Sequence, residues 1–173
     1  MTEPANVKDI VHRLFRDRLV EYLSESPIGC TPAPALYEPA AASERVGLEA
    51  RSEVAWDDGY REFLAITDGM NGFHLSILGV KDWGPDGPGE AAARLLEDSR
   101  DIGLHLDEGI PEGVPLFPVA LNSGHSVGVF MGDIGSGARY WLIGEGDSSF
   151  FDEFVDVLTY LGGERRNLRD SLV

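Results

Sequence analysis

The sequence predicts an α+β domain, and three stretches of it carry that prediction. From Trp56 to Trp83, a helical stripe of Tyr60, Phe63, Leu64 and Thr67, with Met70 one turn further on, runs into Gly69, Asn71 and Gly72. These residues tolerate the left-handed conformation that closes a helix. Phe73 to Val80 follows, alternating and then continuously apolar, as a strand entering a core does. Phe117–Leu121, Val127–Met131 and Arg139–Ile143 are three runs of strand formers joined by the short turns Asn122-Ser123-Gly124 and 133–137, which predicts an antiparallel meander. Finally, Phe151, Phe154, Val155, Leu158 and Leu161 give the stripe of a closing helix, with Asp147 or Ser148 as its cap and Gly162-Gly163 as its stop.

The remaining elements fall between these. Asn6 is placed to cap a first helix through about Leu23, with Val7, Ile10, Val11, Leu14, Leu19, Tyr22 and Leu23 as its apolar face and Arg18 interrupting it. Ser24 to Arg45 holds four prolines and a run of alanines, so an irregular crossing segment is expected. Val46 to Ala55 reads as a short extended piece. Asp57 and Asp58 stand where the central helix would take N-caps and negative charge. Gly84 to Gly89 is a loop by its turn chemistry, and Glu90 to Arg100 reads as a helix burying Ala91, Ala92, Leu95 and Leu96.

At 173 residues the chain fits one domain, long enough to bury about 70% of its unfolded surface. Thirty acidic side chains face 14 basic ones, a formal net charge of −16. Residues 82–112 alone hold nine acids against two arginines, a local net of −7 (2 − 9). Such a surface repels a nucleic-acid backbone and attracts a basic protein, although acidity also serves plain solubility. The single Cys30 cannot form an internal disulfide. The N-terminus lacks the basic start and apolar run of a signal peptide, and no apolar stretch approaches the roughly 20 residues that span a bilayer. A cytoplasmic protein without membrane contact is expected.

Candidate chemistry is sparse. Gly124-His125-Ser126-Val127-Gly128 matches the spelling of the hydrolase nucleophile elbow, which requires strand, turn and then helix. Here strand and turn residues follow instead, and no histidine lies downstream of His125 to complete a triad. A hairpin and a bulge are the plainer use of those glycines. His12, His74, His105 and His125 lack metal-ligand spacing. The only lysines, Lys8 and Lys81, sit in no phosphate-binding loop. Asp82, Asp86 and Glu90 recur every four residues but depart from the calcium-loop pattern. No catalytic residue, cofactor or metal is therefore expected. A protein-contact surface fits better: Trp83, Tyr140 and Trp141 as aromatic anchors, with Asp82, Asp133, Glu145 and Asp147 at strand ends and turns. The competing reading makes the aromatics core residues and the acids solvated caps.

The progression Tyr60-Arg61-Glu62-Phe63-Leu64, Asn71-Gly72, Ile77-Leu78-Gly79 and Asp82 resembles the SUKH superfamily (the Smi/Knr family). Phe117-Pro118-Val119-Ala120, a glycine turn, a strand with Asp133 and the final amphipathic helix resemble its second block, so the likeness covers residues 46–161. The chain departs from the pattern at Trp56-Asp57-Asp58-Gly59, where a proline is usual, at His125-Ser126, where a Gly-Asp pair is common, and in its extended loop at 84–115. The resemblance implies a curved antiparallel sheet with helices packed on it, and no catalytic constellation. Bacterial members resemble immunity proteins that neutralise polymorphic toxins, often nucleases; fungal relatives are regulatory interaction proteins. The expectation is a non-enzymatic binding domain whose partner is a basic toxin domain. A general regulatory interaction module and a small serine hydrolase using Ser126 are the alternatives.

Overall fold

The side chain of Asn6 accepts the Lys8 N–H at 2.9 Å and starts helix α1, Val7–Ser24. The computed structural model describes residues 6–133, 135, 137–144 and 149–163, with the backbone of 169–170. Val7, Ile10, Val11 and Leu14 of α1 enter the core, whereas Val20 and Leu23 stay exposed. Arg18 explains the change of character along the helix. Its guanidinium donates to the carbonyls of Gly72 (2.8 Å) and Pro32 (3.4 Å) and to the Thr31 hydroxyl. Polar contacts, not apolar burial, hold the second half of α1.

The segment expected to be irregular and then extended instead contains strand β1, Ala35–Leu36, and helix α2, Ala42–Arg51. Pro39 lies before the helix rather than inside it, and the Glu44 carboxylate accepts the Ala41 N–H at 3.0 Å. Helix α3, Asp58–Ile66, buries Tyr60, Phe63 and Leu64 as its stripe predicts. It ends one turn early. The Thr67 hydroxyl donates to the Gly69 carbonyl (2.7 Å) and accepts the Tyr37 N–H (2.8 Å), which releases Met70 into strand β2, Met70–Asn71. The strand expected at 73–80 shortens to β3, Ser76–Ile77, because Val80–Trp83 winds into a 3-10 turn.

Helix α4, Pro88–Asp101, begins with proline at its first position. The short α5, Leu104–Asp107, was not expected from the sequence; Gly103, at φ +74°, separates the two. Strands β4 (Leu116–Leu121), β5 (Gly128–Gly132) and β6 (Tyr140–Ile143) form the predicted meander. Strand β7, Ser149–Phe151, takes Phe151 from the helix assigned to it, and α6 runs Phe154–Leu161. The proposed caps Asp147 and Ser148 lie outside the described residues.

With β8, Arg169–Asp170, the strands pair antiparallel in sequence order from β1 to β8 as an open sheet. A bulge between Pro118 and Ala120 lets the Val119 carbonyl accept the Leu78 N–H at 2.9 Å. Both faces are covered in the middle of the sheet. Val129, Met131, Tyr140 and Leu142 pack with α1, α3 and α6; Phe130, Trp141 and Ile143 pack with Leu96 of α4 and with Ile110. The fold is thus α+β, with helices on both faces of an antiparallel sheet.

One ion pair braces the α2–α3 corner. Arg61 reaches Glu49 at 2.5 Å and Asp58 at 2.7 Å. Hydrogen bonds from Arg61, helped by the Trp56 N–H, hold the Glu49 carboxyl below its ordinary 4.5 against the opposing effect of burial. A carboxyl depressed on folding stabilises the protein fully above its unfolded value, and that contribution fades as pH falls through the lower folded value. Glu49→Gln should therefore flatten the loss of urea resistance between about pH 5 and pH 3. An acid limb as steep as that of the parent chain would remove Glu49 from this role.

Candidate protein-docking surface

The acid at 82 is committed to the fold. Its Oδ2 accepts the Gly79 N–H at 2.7 Å and both its oxygens lie 2.9 Å from Lys81 Nζ. Asp68, 7% exposed, accepts the N–H groups of Val80 (2.5 Å) and Lys81 (3.1 Å) and so fixes the start of the same 3-10 turn. Lys81 Nζ also sits 4.1 Å from the centre of the Tyr37 ring, and the Tyr37 hydroxyl accepts from Asn71 Nδ2 at 2.8 Å. Asp82 is a structural acid within this cluster. Trp83 follows it, half-buried, stacked on Phe117 with ring centres 4.9 Å apart. A Cβ on Gly89 would lie 2.5 Å from its ring, so glycine there admits the indole. Beside Trp83 a pocket of about 300 Å³ is lined by Leu48, Arg51, Leu116 and Phe117.

Tyr140 and Trp141 are not surface anchors: they are 0% and 2% exposed. Period-two alternation sends one to each face of β6, and helices cover both faces. The Tyr140 hydroxyl donates to Asp57 Oδ2 at 3.0 Å, and burial beside that carboxylate raises it well above the usual value of 10. The same oxygen accepts the Phe154 N–H at 3.3 Å. Asp57 therefore caps α6 rather than its own helix, whose first turn is served by Asp58. Asp133 is half-exposed, 4.0 Å from Arg139. Glu145 and Asp147 lie outside the described residues. Of the five expected contact residues that are described, Asp82 is tied into the fold and Tyr140 and Trp141 are buried, so these five do not form one exposed surface.

A different set is exposed along α4 and α5: Glu97, Asp98, Asp101 and Asp107, with Glu112 exposed in the loop beyond. Arg94 pairs back along α4 to Glu90 (3.9 Å), and Arg100 donates to the Val114 carbonyl at 2.6 Å. Ile102, where α4 ends, is 77% exposed, and Leu106 in α5 is 51% exposed. Sequence reading registered the charge of this segment but missed the two apolar residues, because a helix break at Gly103 decides which way they face. Among the described residues no three acidic, histidine or cysteine side chains converge to hold a metal ion. The exposed carboxylates are strung along the segment and do not converge on one point.

Two other places lie apart from this segment. A cavity of about 650 Å³ opens between α1, the β2–β3 turn and the end of α6. Its rim sets Arg13 and Arg18 against Asp17 and Glu21, so it has no charge preference. The Gly124–Gly128 word lies on the β4–β5 hairpin. Asn122 Oδ1 accepts the N–H groups of Ser126 (2.8 Å) and Val127 (3.0 Å), its amide donates to Ser126 Oγ (3.1 Å), and strand β5 follows. The strand-to-helix elbow of a serine nucleophile is not formed here. No helix among the described residues is long and apolar enough to cross a membrane. No family model matches the chain, and no curated protein does.

Proposed function

We propose that this protein is a non-enzymatic binding domain that acts as an immunity protein, occluding a basic toxin domain with an acidic surface. The observation that carries the reading is the −16 net charge, expressed on α4 and α5 as exposed carboxylates that do not converge on a cation. The ordered resemblance of residues 46–161 to the SUKH superfamily supports it, as does the hairpin placement of Ser126. Long-range attraction between opposite surfaces raises the association rate and fades with ionic strength.

The partner to test is a toxin domain encoded beside this chain. Co-expression should restore growth, and the complex should weaken roughly tenfold or more between low and high salt through slower association. Affinity that is the same at both salt concentrations would exclude the electrostatic reading, and persistent toxicity would exclude the immunity role.

A further inference from the structure

We infer that the end of helix α4, continued through Ile102 and Leu106, docks a lysine- and arginine-rich protein segment that carries an apolar side chain between its cations. The inference deepens the proposed function and rests on it, since it assigns the face that meets the basic partner. Three independent observations lead there.

The first is electrostatic. A helix C-terminus carries partial negative charge and favours cations. Helix α4 has Arg100 there but also places Asp98 and Asp101 in the same last turn, with Glu97 beside them, so acids outnumber the cation. Glu97 and Asp101 stand four residues apart, and Asp98 and Asp101 three apart, spacings at which like charges repel. Arg94 is drawn towards Glu90 and Arg100 towards Val114, and no ion pair to Glu97, Asp98 or Asp101 relieves the repulsion among the described residues. The arrangement opposes helix stability and a cationic partner would relieve it, which is how local conflict at a functional surface arises.

The second is apolar. Among the described residues, exposed large hydrophobics are few, and Ile102 is the most exposed of them at 77%. Gly103, at φ +74° with open space around it, ends the helix so that the chain turns directly into α5 and Leu106. Two exposed apolar residues in a segment of exposed carboxylates match the composition of a contact whose centre is desolvated and whose rim is charged.

The third is the inner face of the same helix. Ala91, Ala92 and Leu96 are buried against the sheet, so the outer face is presented on a fixed support. A binding surface on a packed helix holds its geometry better than one on a loop.

The test uses the full chain, isotopically labelled, and two synthetic peptides: one alternating lysine with leucine, the other with serine in place of each leucine. Amide shifts on adding the leucine peptide should concentrate at residues 97–112. Asp98→Asn with Asp101→Asn should weaken it about fivefold, while Glu38→Gln with Glu62→Gln, the same change in net charge elsewhere, should weaken it less than about twofold. Ile102→Ser should bring the leucine peptide down to the affinity of the serine peptide, about a tenfold loss. All five positions are exposed, and unchanged spectra of the free variants establish that they fold. Shifts spread over the chain, equal effects of the two charge pairs, or equal affinity for the two peptides would overturn the assignment. Toxin neutralisation that survives the triple change D98N/D101N/I102S would overturn the location alone, whereas salt-insensitive binding by the parent chain would overturn the function beneath it.

Discussion

Gly72→Ala should cost about 3 kcal/mol of stability, combining left-handed strain with overpacking against backbone. Gly72 adopts φ +93°, and a Cβ there would lie 2.4 Å from Pro34 Cα and 2.7 Å from the Ala33 carbonyl oxygen. Neither neighbour is a side chain that could swing away. The Gly72 carbonyl also accepts from Arg18 Nε, so displacement of this residue loosens the second half of α1. Gly103→Ala is the matched control: it shares the positive φ, +74°, but meets nothing within 4 Å. It should lose only about 1 kcal/mol, the backbone component. Urea midpoints of the two variants decide the matter, and equal losses would mean that the close approach of residues 33–34 carries no weight.

Asp68→Ala should be the most damaging side-chain truncation near the 3-10 turn, at about 2–3 kcal/mol. It removes the acceptor for two backbone N–H groups in a place from which water is largely excluded, and unpaired buried donors cost more than the bond itself contributes. The loss should extend to Trp83, which closes that turn and stacks on Phe117. Tryptophan fluorescence and near-ultraviolet circular dichroism should change together with the unfolding midpoint. Asp68→Asn retains one acceptor and should fall between. A midpoint shift worth less than about 0.5 kcal/mol would show that the turn stands without this carboxylate.

What the sequence makes legible here follows from what signals itself locally. Helix α1 and strands β4 to β6 show their period and their turns, so they are found where expected. Helix α2 is hidden: its cap is a glutamate bonded to the backbone of an alanine, and Val46 points to solvent, so neither a cap letter nor a clear stripe announces it. Helix α5 is too short to show a period at all. The candidate site divides in the same way. Excess charge at residues 82–112 is a matter of counting. Aromatic residues are not self-explanatory, because Tyr140 and Trp141 owe their burial to helices from distant parts of the chain covering both faces of one strand. Asp57 shows the same non-locality. Its position reads as the cap of α3, yet its oxygen serves Tyr140 and the start of α6, contacts more than eighty residues away.

The order of the strands has a further consequence. Helices α4 and α5 arise from an excursion that leaves the sheet after β3 and returns in β4, its immediate neighbour, with Ile77 paired to Ala120 and Ser76 to Leu121. The two ends of the excursion are therefore pinned side by side, whatever lies between them. A segment held in this way can exchange its outward residues, or its length, without disturbing the register of any strand. The outward residues of this excursion are thus uncoupled from the architecture: Glu97, Asp98, Asp101, Ile102 and Leu106 can be exchanged through successive replacements, while Ala91, Ala92, Leu96 and Ile110 keep the seat unchanged.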